Sequence, residues 1–136
     1  MMATTCCNAT QPEVSDQVDG QRDIEAITSV IHPYAQGGRK GDAAIMKPAF
    51  GQNATIHGYI GGELLAGPIQ ILFDWVTQNP PATQLQADIV NIDLAQTVAT
   101  ARVEMTHWLG HRFTDQFTLL KENGAWWITS KVFHTY

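Results

Sequence analysis

Between Thr83 and Phe133 the chain carries no helical stripe. Four segments, Thr83 to Leu94, Thr97 to Leu109, Arg112 to Glu122 and Ala125 to Phe133, read as long strands separated by short turns, the last of them Asn123-Gly124. A period of two sends successive side chains to opposite faces of a strand, and Asn-Gly supplies the two positive-φ positions of a tight hairpin. The second half is therefore expected to be an antiparallel meander, and the first half must pack on one face of it.

Upstream the periodicity is helical. Ile24, Ile27, Ile31 and Tyr34 recur on one stripe, with Asp23 and Glu25 in the first turn, where the helix dipole favours acids. Pro33 is expected to kink this helix or tighten its last turn, and Gly37-Gly38 with Gly41 to break it. Asp42 reads as the N-cap of a short helix over Ala43, Ala44, Ile45 and Met46, limited by Pro48. Ala54 to Ile60 is a strand that Gly61-Gly62 returns as Glu63 to Leu65. Gly67-Pro68 then opens a third helix with Ile69, Leu72, Phe73 and Val76 on one face, stopped by Asn79-Pro80-Pro81. Residues 1–20 are polar and aperiodic and are expected to be a mobile tail, leaving residues 21–136 as a single α+β domain with three N-terminal helices packed on a curved, mainly antiparallel sheet.

Composition narrows the function. Eight Lys and Arg stand against thirteen Asp and Glu, a net charge of -5, and the bases are scattered singly apart from Arg39-Lys40; no stripe for nucleic acid exists. The most apolar stretch, Tyr59 to Val76, is broken by Glu63, Gln70 and Asp74, so no membrane span is expected. The first residues lack the features of a secretory signal, and the expectation is a cytoplasmic protein. Cys6 and Cys7 are adjacent, which suits neither a disulfide framework nor a cysteine zinc site.

Three segments, GGELLAGPIQILFDW at Gly61 to Trp75, GHRFTDQFTLL at Gly110 to Leu120 and NGAWWITSKVF at Asn123 to Phe133, together with the element order, resemble the SnoaL-like or putative lumazine-binding branch of the nuclear-transport-factor-2-like (NTF2-like) superfamily. The resemblance covers about Asp23 to His134. It implies a cone-shaped fold, an interior pocket and a homodimer. The superfamily holds isomerases, dehydratases, cyclases and non-catalytic scaffolds, so fold alone selects no function.

Strand parity nominates the pocket. Ala99, Ala101, Val103, Met105 and His107 of one strand and Phe113, Asp115, Phe117 and Leu119 of the next are expected on the same inward face. A two-residue turn at Asn123-Gly124 places Asp115 opposite Val132 and Phe113 opposite His134. A three-residue loop, Leu109 to His111, places Asp115 opposite Met105 and Phe113 opposite His107. Asp115, His107 and His134 are thereby the expected catalytic set, a carboxylate with two imidazoles able to move a proton near neutral pH. Tyr34 and Tyr59 are expected oxygen-stabilising donors. His57, Trp75, Met105, Phe113, Phe117 and Lys131 complete the expected lining. The competing reading is structural: a β-bulge near Ser130 turns Lys131 inward to pair with Asp115. A metal site would have to be assembled from His57, His107 and His134, and neither metal nor cofactor is expected. Trp108, Phe133 and, depending on the bulge, Trp127 are expected on the outer face as a homodimer interface.

The reading is a protein that binds a small apolar or aromatic molecule, with cofactor-free isomerase, dehydratase or cyclase chemistry as its catalytic form. The alternative is a non-catalytic ligand-binding or protein-association module.

Overall fold

The computed structural model describes residues 13–136, with side chains described from residue 19 on. Helix α1 (Glu13–Lys40), helix α2 (Ala43–Met46), a 3-10 turn (Lys47–Ala49) and helix α3 (Gln70–Gln78) accompany six strands. These are β1 (Phe50–Ile60), β2 (Glu63–Pro68), β3 (Gln86–Ala95), β4 (Val98–Trp108), β5 (His111–Glu122) and β6 (Ala125–Thr135). They form one sheet in the order β2-β1-β6-β5-β4-β3. Every neighbouring pair is antiparallel except β1 with β6, which makes the sheet mixed. Parallel strands cannot be joined by a tight hairpin, and the elements between β1 and β6 in the chain supply the long crossover that this pair needs.

The helices cover one face. Ile27, Ile31 and Tyr34 from α1, Met46 from α2, and Leu72, Phe73 and Val76 from α3 are buried against Val103 and Met105 of β4, Phe117 and Leu119 of β5, and Ile128 of β6. The stripe expected for α1 is thus the buried one, but the helix starts at Glu13 and does not stop at Gly37-Gly38. These glycines are there for packing. A Cβ on Gly37 would lie 2.9 Å from the Asp42 carbonyl oxygen, and one on Gly38 would lie 2.9 Å from both Leu85 Cδ2 and Trp108 Cζ2. The helix ends at Gly41, whose φ of 64° lets Asp42 N–H donate to the Gly37 carbonyl at 2.9 Å and Gly41 N–H to that of Gly38 at 3.3 Å. Asp42 then caps α2 as expected, its side chain accepting from Ala44 N–H at 3.0 Å. The third helix begins at Gln70, not at Pro68, because β2 runs on through Pro68 at the sheet edge, where a missing N–H is tolerated. The segment Glu13–Gly20, expected as tail, is helical; Cys6, Cys7 and the rest of that stretch lie outside the described residues.

Two register shifts decide the site. In β6, Leu119 faces Ile128 as the Asn123-Gly124 turn requires, but Thr118 faces Ser130, so Thr129 is an extra residue and parity slips by one beyond it. In β4, Met105 faces Phe113 while Trp108 faces His111, so Thr106 and His107 together oppose Arg112. His107 adopts φ 62° at this bulge, and the turn is the two residues Leu109-Gly110, with φ 52° and 85°, in place of the three-residue loop expected.

Candidate functional site

The slip at Thr129 carries Lys131 and Phe133 to the inner face and Val132 and His134 to the outer one. Lys131 is 3% exposed, whereas Val132 is 47% exposed and His134 is exposed. Asp115 now faces Phe133 on one side and Val103 on the other, in place of Val132 and Met105. Lys131 Nζ donates to Asp115 Oδ1 at 3.2 Å, and Tyr34 Oη donates to Asp115 Oδ2 at 2.7 Å. Tyr34, Asp115 and Lys131 come from α1, β5 and β6 and are all buried.

Charge in this setting is expensive. Burial pushes the Asp115 carboxyl above its ordinary value, outweighing the opposing pull of the Lys131 charge and the Tyr34 hydroxyl. Burial likewise lowers the Lys131 ammonium despite Asp115 beside it. The Tyr34 phenol is raised well above its usual range by burial and by the neighbouring carboxylate. Burial therefore drives both members of the ion pair toward their neutral forms.

A cavity of about 30 Å³ adjoins the pair. Trp75, Leu72 and Ile71 of α3, Leu65 of β2 and Ile56 and Ile60 of β1 wall one side; Trp108, Phe113 and Phe133 wall the other. Lys131 is the one charged residue that lines it. Its Nζ lies 4.3 Å from the centre of the Phe133 ring, 5.6 Å from that of Tyr34 and 5.9 Å from that of Phe113. The order from the cavity inward is thus Lys131, Asp115, Tyr34, and Asp115 reaches the cavity through the lysine.

Of the residues expected here, Tyr34, Asp115 and Lys131 form one hydrogen-bonded group, and Trp75 and Phe113 line the cavity. Met105 and Phe117 are buried on the inner face, with Phe117 edge-on to the Tyr34 ring at 5.3 Å. The histidines do not join them. His107 is exposed because the bulge turns it outward, His134 is exposed because of the slip at Thr129, and His57 and Tyr59 take the outer parity of β1. Among the described residues no three His, Cys, Asp or Glu side chains gather as a metal site. Trp108 and Phe133, expected on the outer face, are 3% and 6% exposed on the inner one, and Trp127 lies half-buried over Gly51. No described helix is long and apolar enough to cross a membrane.

The cavity wall was largely missed from sequence. Trp108 and Phe133 enter it only through the two bulges, and a bulge leaves no composition signal comparable to Asn-Gly. Gly58 is a weak pointer: a Cβ there would collide with the Phe133 backbone and ring, so the glycine admits the aromatic that covers Lys131.

Comparison with known proteins gives a consistent picture. A family model described as "Putative lumazine-binding" matches residues 22–134. A protein named Aldolase FrzH, from a Cladobotryum species, is 30% identical over 115 residues, covering 84% of this chain and 92% of its own. Crystal structures of two NTF2-like proteins of unknown function are similar over most of the chain. That from Shewanella baltica OS155 is 42% identical with a TM-score of 0.81, over 85% of this chain and 94% of its own. That from Methylobacillus flagellatus KT is 44% identical with a TM-score of 0.82, over 85% and 93%.

Proposed function

The chain belongs to the putative lumazine-binding family of NTF2-like folds, and from that premise we propose that its inner cavity takes a small apolar or aromatic carbonyl compound and promotes proton removal from the carbon beside the carbonyl. The observation that carries this reading is the placement of Lys131 as the one charged residue on an otherwise apolar and aromatic wall. An apolar wall holds the hydrocarbon part of such a molecule, and a single polar group orients its oxygen.

Enolisation develops negative charge on the carbonyl oxygen. A lysine nitrogen held away from water meets that charge far more strongly than one in solvent. Asp115 fixes the nitrogen and exchanges a proton with it across 3.2 Å, and Tyr34 holds the far carboxyl oxygen, so both are positioning residues. Isomerisation, dehydration, ring closure and aldol bond formation all pass through an enol or its equivalent. The name of the Cladobotryum relative is in keeping with the last. The apolar and aromatic wall around Lys131, itself 3% exposed, keeps bulk water from competing. As it stands the cavity has room for about one water, so a larger guest displaces the half-buried Leu65, Ile71 and Trp75.

The test is exchange of the α-hydrogens of butanone for deuterium in heavy water, followed by NMR. The protein should accelerate exchange, Lys131→Met should abolish the acceleration, and Asp115→Asn should reduce it about 10- to 100-fold. No acceleration by the native protein contradicts the reading.

A second reading concerns assembly. Tyr59, Leu64 and Val132 are 52%, 62% and 47% exposed on adjoining strands β1, β2 and β6, an apolar patch on the outer sheet face. This patch takes over the interface role expected of Trp108 and Phe133 and supports a homodimer through the sheets. Val132→Asp should shift the sedimentation coefficient of a dimer to that of a monomer; a native protein that sediments as a monomer removes the reading.

A further inference from the structure

Resting on the reading that the cavity takes a carbonyl compound, we propose that Lys131 acts as a nucleophile, joining the carbonyl carbon of an aldehyde or ketone as an imine, so that the enolised species is an enamine attached to Nζ. Three observations lead there. Lys131 is the charged residue on the cavity wall, and it is 3% exposed. Around Nζ stand the rings of Phe133, Tyr34 and Phe113, and its ion-pair partner is Asp115. Burial lowers the ammonium, so more of Lys131 is neutral amine than of a surface lysine, which is the usual activation of an amine nucleophile.

The step balances without oxidant or reductant. The ammonium passes one proton to Asp115 Oδ1, 3.2 Å away, while Tyr34 keeps its hydrogen bond to Oδ2. The amine lone pair forms the C–N bond and the carbonyl π pair moves to oxygen, which takes a proton and gives a carbinolamine. A second proton delivered to that oxygen breaks the C–O bond and releases one water, leaving a protonated imine. That second proton is the one Asp115 took from the ammonium, so the carboxylate is free again to accept the α-proton as the C–H pair moves into the C–C bond and the C=N pair onto nitrogen, giving the enamine.

A non-covalent ion pair would hold Lys131 in the same place, and trapping tells the two apart. The full-length protein is incubated with butanone and sodium borohydride, which reduces an imine to a stable secondary amine, and the product is mapped by peptide mass spectrometry. Modification at Lys131 should exceed that at Lys40, Lys47 or Lys121 several-fold, and Asp115→Asn, which leaves no carboxyl to carry the proton to the departing oxygen, should reduce it while leaving the other three unchanged. Modification spread over Lys40, Lys47 and Lys121 with Lys131 intact overturns the proposal. Accelerated α-exchange without any adduct at Lys131 overturns the imine and leaves enolisation by a non-covalent route. Absence of both exchange and adduct overturns the imine together with the reading on which it rests.

Discussion

Asp115 and Glu104 sit on neighbouring strands one register step apart, since Glu104 pairs with Thr114 and Asp115 is the next residue along. The pleat sends them to opposite faces. Glu104 Oε1 accepts from Thr114 Oγ1 at 2.7 Å, Oε2 accepts from Arg102 Nε at 2.7 Å, and Arg112 Nη1 stands 3.7 Å away. The Thr114 hydrogen bond, then that from Arg102, holds its carboxyl below the ordinary value. Asp115 also has a cation and a hydroxyl, yet its carboxyl is raised, because burial outweighs both. A partner list does not predict the behaviour of a carboxylate; the water it keeps decides which influence wins.

Removing one member of the inner group should therefore cost far more than removing one of the outer group. Lys131→Met strands a buried carboxylate, and urea denaturation should show a loss of about 3–5 kcal/mol; pairing it with Asp115→Leu should recover most of that loss. Gly58→Ala sets a methyl against the Phe133 carbonyl and ring, displacing the aromatic over Lys131, and should cost about 2–3 kcal/mol in the same assay. Tyr34→Phe removes the donor at 2.7 Å from Asp115 and should cost about 2 kcal/mol. On the outer face Glu104→Gln should cost under about 1 kcal/mol, and addition of salt should shrink even that difference.

Acid separates the faces by sign. Glu104 and Asp23, the latter held low chiefly by hydrogen bonds from Lys121 and Trp126, contribute stability that is present above their ordinary values of 4.5 and 3.8 and is lost as pH falls through their folded values. Asp115 runs the other way: its raised carboxyl contributes below 3.8 and the contribution is lost as pH rises through the folded value. Thermal melts at stepped pH should show a smaller acid loss for Glu104→Gln than for the native protein, and an equal loss contradicts the assignment.

How much of this was legible follows the same divide. The α1 stripe, the Asp42 cap, the α3 face and the turn at Asn123-Gly124 rest on short-range rules, and the structure carries all four. Asp115 stood out as a carboxylate with apolar parity, and its pairing with Lys131 was the structural alternative. The histidines failed for one physical reason. Parity is cumulative along a strand, so one extra residue at Thr129 and one at the His107 bulge reversed every assignment beyond them, turning His107 and His134 outward and bringing Trp108, Lys131 and Phe133 inward. Gly37-Gly38 misled in another way, since two glycines in a helix look like a break until Leu85, Trp108 and Met46 are seen to fill the space above them.

The most direct test is a carboxyl-carbon NMR titration of the native protein in which Asp115 and Glu104 are followed together. Asp115 should titrate above 3.8 and Glu104 below 4.5 in the same sample. An Asp115 that titrates at or below 3.8 would show that Lys131 and Tyr34 outweigh burial, and would contradict a proton poised for transfer at the cavity.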